Sequence, residues 1–208
     1  TRIDFDIKGN QRQVVDALDR IVMRYDYDML DTPIHSASMD AGERWMLNDV
    51  AGKAIYGSDS REHRLRSSYD VLGRPTEVHL QTGSAKEKLI GRTVYGESQP
   101  HPEFRNLRGK PYQVFDGAGI VTTGDYDFKG NALSSTRQLA TDYKTAPDWL
   151  SSVALEGESF TTRRTFDALN RPLTETTPDS STTRRSYNEA GLLETVEVNL
   201  QGETASGQ

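Results

Sequence analysis

Cysteine is absent from this 208-residue sequence. That excludes disulfides, thiolate metal sites and cysteine nucleophiles, and leaves packing as the source of any stability outside a cell. Apolar residues are also scarce. They make up 34% of the chain, about 42% with glycine added, against the ~45–50% usual in globular domains. A thick compact core is therefore not expected, and a sheet with one buried and one wet face suits the composition better. No apolar run approaches the length of a membrane-spanning helix, so no membrane span is expected. Basic charge is not in excess either: 25 Lys and Arg face 31 Asp and Glu, for a formal net charge of −6. Nucleic acid is not an expected partner, because its binding needs a basic stripe to replace phosphate counterions. The sequence starts at Thr1 without a methionine, signal peptide or tag, and reads as a piece of a longer protein.

What the sequence does hold is a repeat, the first thing to look for in any chain. The unit is an aromatic residue, Asp, two residues, then Gly or a near-equivalent. It stands as Phe5-Asp6-Ile7-Lys8-Gly9-Asn10, Tyr69-Asp70-Val71-Leu72-Gly73-Arg74 and Tyr126-Asp127-Phe128-Lys129-Gly130-Asn131. Phe115-Asp116-Gly117-Ala118-Gly119 has the same shape, and weaker copies begin at Tyr27, Asn48, Phe166 and Tyr187. Asp28, Asp49 and Asp70 are 21 residues apart in succession, as are Asn106 and Asp127, and Asp167 and Asn188. The segment from Thr161 to Asp167 aligns without a gap on that from Thr182 to Asn188. Further turn-like sites, Asp16, Asp59, Asp116 and Asp179, fall about half a period earlier. The elementary unit is thus 9 to 12 residues, two to a period.

The chemistry of the unit predicts a hairpin turn. Asp at its first position can accept backbone N–H bonds from residues further on. Gly three residues later can take the left-handed conformation that closes the turn, as in a type I turn followed by a bulge. Asp19, Asp31 and Asn170 stand in that place elsewhere, and Asn and Asp tolerate positive φ best after Gly. Glu62, in Asp59-Ser60-Arg61-Glu62, fits that requirement poorly. Segments between turns, such as Arg20 to Tyr25, Arg163 to Phe166 and Thr195 to Leu200, are rich in β-formers or alternate polar with apolar. The expected fold is all-β: consecutive antiparallel hairpins, about 21 residues per double unit, in a long twisted and curved sheet.

One repeat segment, 1–208, is expected, with loop-rich insertions at about 80–105 and 134–160 and a flexible tail at 202–208. The step from Asp70 to Asn106 is 36 residues, and that from Asp127 to Asp167 is 40, nearly two periods. In the first insertion, Leu89 to Tyr95 reads as a strand between two loops. In the second, Arg137 to Lys144 reads as a short helix, with Pro147 and Trp149 in a packed loop.

These residues resemble the Rhs/YD-repeat family, whose signature is Tyr-Asp, two residues, then Gly-Arg or Gly-Asn. Tyr69 to Arg74 and Tyr126 to Asn131 match it fully, and the resemblance covers nearly the whole chain. It implies a sheet spiralling into a hollow shell around a toxin domain, as in insecticidal toxin-complex and related polymorphic toxin proteins. This chain would then be a wall segment of a bacterial protein, secreted or at the cell surface and cytoplasmic before or during export. Its implied partners are the flanking Rhs repeats of the parent chain and the encapsulated toxin polypeptide or a shell partner subunit. The family's self-cleaving core ends in an Asp-Pro-x-Gly motif. That run is absent, and Thr177-Pro178-Asp179 has the wrong order, so self-cleavage does not carry over.

Chemistry beyond the turns is sparse. His35, His63, His79 and His101 include no pair within four residues and read as solvated or turn residues rather than metal ligands. Asp26 with Asp28, and Asp125 with Asp127, place paired carboxylates on one strand face, but without the loop ligands of a calcium site. No Gly-x-Ser-x-Gly elbow, phosphate loop or dinucleotide fingerprint occurs. Arg163-Arg164 and Arg184-Arg185 recur at the repeat period and favour pairing with acids across the sheet over a basic ladder for an acidic ligand. The aromatics preceding the turn Asp residues either pack on neighbouring hairpins, the favoured reading, or line a sugar-binding groove. No catalytic, cofactor-binding or metal-binding residue is assigned, and no cofactor is expected. The expected role is structural and non-enzymatic. The alternative is a carbohydrate- or receptor-binding module on the same repeats, with a hydrolase using a carboxylate pair as a weaker third reading.

Overall fold

The computed structural model describes residues 1–202, and they hold sixteen antiparallel β-strands, one 3-10 turn at Gly96–Ser98 and no α-helix. The tail expected at 202–208 lies outside the described residues except for Gly202. The chain divides into two units that meet at Ile90 and Gly91. In the first, β1 (Arg2–Phe5), β2 (Gln11–Val15), β3 (Ile21–Tyr27), β4 (Pro33–Ser38), β5 (Gly42–Asn48), β6 (Ala54–Asp59), β7 (His63–Tyr69) and β8 (Pro75–Thr82) pair in chain order. Strand β9 (Lys88–Tyr95) carries the boundary. In the second unit β9 pairs with β10 (Pro111–Asp116), and β11 (Gly119–Tyr126), β12 (Ala132–Ala140), β13 (Leu155–Phe166), β14 (Pro172–Thr176), β15 (Thr182–Tyr187) and β16 (Leu193–Asn199) follow in order. Within each unit every connection is a hairpin, as the repeat predicts.

A sheet of this kind makes little core. The fully buried large side chains are Leu89 and Leu107; Val15, Tyr126 and Ala140 are also buried. The chain exposes 13968 Å². A compact monomer of its mass would expose about 9,700 Å², and even two separate globules of half that mass about 11,700 Å². The low apolar content has the corresponding outcome: strand pairing and cross-strand side-chain contacts, rather than a deep interior, hold the chain together. Arg164 and Arg185 both reach Glu175, at 2.7 and 3.8 Å, and Thr136 meets Thr161 at 2.8 Å.

Three expectations are corrected. Arg137 to Ala140 is the end of β12, not part of a helix, and the chain leaves the sheet only after it. Helix propensity is a weak prior. Here it is overridden by pairing with β11 on one side and β13 on the other, and by Arg137, whose guanidinium binds both oxygens of Asp116 at 2.7 and 2.9 Å. The 40-residue step from Asp127 to Asp167 is one long double unit rather than nearly two. The turns they head are neighbours, since the Asn131 amide donates to Asn170 Oδ1 at 2.6 Å. Finally, Thr177 heads the turn assigned to Asp179: its N–H donates to Ser181 O at 2.9 Å and its carbonyl accepts from Ser180 at 3.0 Å.

Candidate functional site

The repeated turn is the one constellation that recurs through both units. At Asp70 the backbone N–H donates to Arg74 O at 3.0 Å, and Gly73 N–H donates back to Asp70 O at 2.8 Å. Asp70 Oδ1 accepts from Leu72 N and Arg74 N, both at 2.9 Å, while Oδ2 accepts from Arg74 Nε at 2.7 Å. Asp16 with Arg20 and Asp167 with Arg171 reproduce the whole set, and Asp6 and Asp127 do so with Asn10 and Asn131 in place of Arg. His63 plays the same part against Asp59. The fourth residue of the turn has positive φ throughout, including Asp19, Asp31 and Asn170 as expected. Glu62 does so too, at φ 63°, although its side chain suits that conformation poorly. Collectively these bonds hold the carboxyls of Asp16, Asp70 and Asp167 below the usual range. The backbone N–H at the fifth position is the chief cause, opposed in part by desolvation and aided by the Arg side chain.

The turns also grip one another along the sheet edge. The Tyr187 hydroxyl donates to Pro172 O at 3.0 Å, Tyr126 to Pro111 O at 2.7 Å, Tyr69 to Ala54 O at 2.8 Å and Tyr27 to Gln11 O at 2.9 Å. In each case the acceptor lies just past the preceding turn on the same edge. The cation from that turn sits under the ring: Arg171 under Tyr187, Lys110 under Tyr126, Lys53 under Tyr69. A Cβ on Gly73 or Gly130 would meet the ammonium of Lys53 or Lys110, flexible side-chain ends that can move aside, so Gly is required there chiefly for its positive φ. Where Asp31 replaces Gly, it accepts from Lys8 and from Asn10, both at 2.9 Å. The four signature residues thus have four jobs: Tyr clamps the previous turn, Asp folds its own, Gly closes it at positive φ, and the basic or amide residue links to the next. These tyrosines already spend their hydroxyls, and three of them hold a cation at the ring, which favours packing over sugar binding.

The insert at 97–106 and the loop at 141–154 both lie on the second unit's sheet. Ten residues, 97–106, enter a turn whose backbone closure runs from Gly96 N to Lys110 O at 2.9 Å. Asn106 keeps the repeat phase, with Gly109 at positive φ and Lys110 under Tyr126, but it does not head the turn. Its amide instead donates to Tyr126 O at 2.8 Å, and Leu107 fills the space beside Gly96. In the loop at 141–154, Pro147 is buried, and Trp149 meets Phe115 edge-on at 5.0 Å while its Nε1 donates to Asp116 O at 3.2 Å. That matches the packed loop expected there.

The other candidates are dispersed. His35 and His79 are not solvated: both are buried on the first unit's sheet. His35 stacks on Trp45 at 3.8 Å and bonds Asp26 at 2.8 Å; His79 lies 3.1 Å from Glu77 and 3.5 Å from Glu87. Composition carried no signal for this, because cross-strand register alone brings Asp26, His35 and Trp45 into one row. His101 is exposed in the first loop. The paired carboxylates diverge: Asp125 accepts from Ser134 and Asp127 heads a turn, while Asp26 takes His35 and Arg12 and Asp28 heads a turn. Among the described residues no three His or acidic groups converge as metal ligands would, and no helix is long and apolar enough to cross a membrane.

Fold and turn together define a class, the tandem β-hairpin repeat with an Asp-headed, edge-stacked turn. Within it the chain resembles the Rhs/YD repeats and is similar to toxin subunit YenC2 of Yersinia entomophaga, at 25% identity over 226 residues, covering 95% of this chain and 23% of YenC2. No family model matches. Among solved structures, the crystal structure of TcdB2-TccC3-Cdc42 superposes with a TM-score of 0.88 at 25% identity, covering 98% of this chain and 10% of that one. The Tc holotoxin pore of Photorhabdus luminescens gives the same TM-score, identity and coverage. The chain therefore spans less than a quarter of each of these relatives.

Proposed function

We propose that residues 1–208 act as one wall segment of a secreted bacterial Rhs shell, a non-enzymatic stretch of sheet that helps enclose and deliver a toxin polypeptide. The observation that carries this reading is the edge ladder, in which four turns are fastened to the preceding turn on their edge by a Tyr hydroxyl, three of them with a cation under the ring as well. Such a ladder stiffens a sheet only one layer thick, as a container wall requires. Relatedness to a toxin subunit over 95% of the chain supports the same reading. Its partners are then neighbouring repeats and the enclosed polypeptide. Nothing in the site calls for a cofactor, and the polar groups that catalysis would use are engaged in turns and cross-strand pairs. The test is protease protection in the full-length protein. Enclosed polypeptide should resist cleavage, and a strand-breaking Thr122→Pro in the centre of β11 should expose it. Equal cleavage in both proteins overturns the wall role. Glycan binding lost on Tyr126→Ala with folding intact would favour the alternative binding module.

A further inference from the structure

Two acceptors meet without a donor on the sheet of the first unit. His35, on β4, is 7% exposed, and its ring stacks on Trp45 of β5 at 3.8 Å and 17°, which fixes its plane. Asp26 Oδ2 of β3 lies 2.8 Å from Nδ1. That carboxyl is held below the usual range, chiefly by the bond from His35, so it is ionised and can only accept. Nδ1 must therefore carry the hydrogen of a neutral ring, and Nε2 is left bare. Nε2 is buried and has no hydrogen-bond partner. Glu43 Oε2 of β5, a second acceptor, faces it at 3.9 Å. A buried acceptor left without a donor costs free energy, and one proton on Nε2 removes the fault.

We propose that His35 is a proton-operated clamp: when its ring takes a second proton, Nε2–H donates to Glu43 while Nδ1–H keeps Asp26, and β3, β4 and β5 are tied through one imidazolium. The surroundings fit this role. The Glu43 side chain is 59% exposed, so its carboxylate is free to move the ~1 Å that brings it to charge-assisted hydrogen-bond distance. The indole of Trp45 favours a cation on its face. The charged groups around the ring are Asp26 and Glu43, with Arg12 3.1 Å from Asp26 and Arg24 acting on the same carboxylate. The arginines oppose the proton, as does desolvation; the two carboxylates and the indole favour it. Because these effects oppose one another, the clamp is read at the ring itself rather than in global stability. Histidine is the side chain whose charge changes between pH 5 and 8, so the clamp closes as pH falls through that interval. All its parts belong to β2, β3, β4 and β5, so it needs no surface outside this chain. The inference stands apart from the wall reading.

Trp45 is itself the reporter. The 208-residue chain carries two tryptophans, and Trp149→Phe leaves Trp45 as the sole indole. An imidazolium stacked on an indole quenches it, so Trp45 emission should fall in one step as pH goes from 8 to 5. Nitrogen NMR of the unsubstituted chain should show, over the same step, His35 Nε2 moving to the protonated shift while Nδ1 stays protonated. His35→Gln should abolish the emission step. Glu43→Gln, at an exposed carboxylate, should keep the step and move its midpoint to lower pH by roughly 0.2–0.7 unit, the worth of a solvent-screened ion pair. Nε2 still bare at pH 5 overturns the proposal. So does a step that survives His35→Gln, which would place the proton elsewhere, or a midpoint that Glu43→Gln leaves in place, which would mean a proton without a clamp. Should His35→Gln fail to fold, the Nε2 shift in the unsubstituted chain decides.

Discussion

The guanidinium of Arg171 lies 4.2 Å from the ring centroid of Tyr187 while its Nε donates to Asp167 Oδ2 at 2.6 Å. One side chain thereby completes its own turn and supports the next. Arg171→Ala should cost the stacking contribution, about 0.5–1 kcal/mol at a partly exposed site, and loosen the Asn188 turn as well as its own. Arg171→Lys should recover charge but not the fork geometry. Urea midpoints report the first effect, and amide exchange at Gly191 the second.

Leu107 has no exposed surface, and its carbonyl would lie 2.6 Å from a Cβ built on Gly96. Leu107→Ala should destabilise by about 2–5 kcal/mol, the range for large core truncations. Gly96→Ala meets backbone rather than a flexible side-chain end, so the ten-residue insert must move to accept it. Chemical denaturation monitored at Trp149 tests both, since that residue lies in the same unit.

Tyr126→Phe removes the hydroxyl that donates to Pro111 O but keeps the ring over Lys110. The expected loss is about 0.5–1.5 kcal/mol, one hydrogen bond at a buried residue. A larger loss, equal to that of Tyr126→Ala, would show that the ring contributes nothing.

Removal of Trp149 should free the 141–154 loop without unfolding β12 or β13. Trp149→Ala loses the edge contact to Phe115 and the bond to Asp116 O. Limited proteolysis should then cut near Tyr143 and Lys144, which are exposed, while the strands stay protected. Cleavage within β13 at the same rate would contradict this.

Acid should unfold the chain in a sharp step. The carboxyls of Asp6, Asp16, Asp59, Asp70, Asp116 and Asp167 are all lowered in the folded state. A lowered folded value means stability that is fully present above the unfolded value, about 3.9, and lost as pH falls through the folded values. Because these six carboxyls shift in the same direction, the losses accumulate. The urea midpoint should be nearly flat from neutral pH to about 5 and fall steeply below about 4.

Period and turn chemistry were legible because they are local. Asp at the head, Gly or Asn at the fourth position and the 21-residue spacing follow from which residues accept N–H bonds and tolerate positive φ. Even the poorly suited Glu62 adopted the turn, since its neighbours on both strands fix the register. Ser38, whose hydroxyl accepts from Ala41 N at 3.1 Å, heads a turn without an Asp and escaped the pattern.

Everything that depended on which strands lie side by side was decided by the tertiary structure. Asn131 and Asn170 are 39 residues apart in sequence and joined by one hydrogen bond. The run from Arg137 to Ala140 became strand because two neighbours demanded it, and His35 was buried because register set it beside Asp26 and Trp45. The sequence by itself determined the turns, because a turn is closed by bonds among five consecutive residues. Only the folded sheet decided what each turn touches, because those contacts join residues from different hairpins.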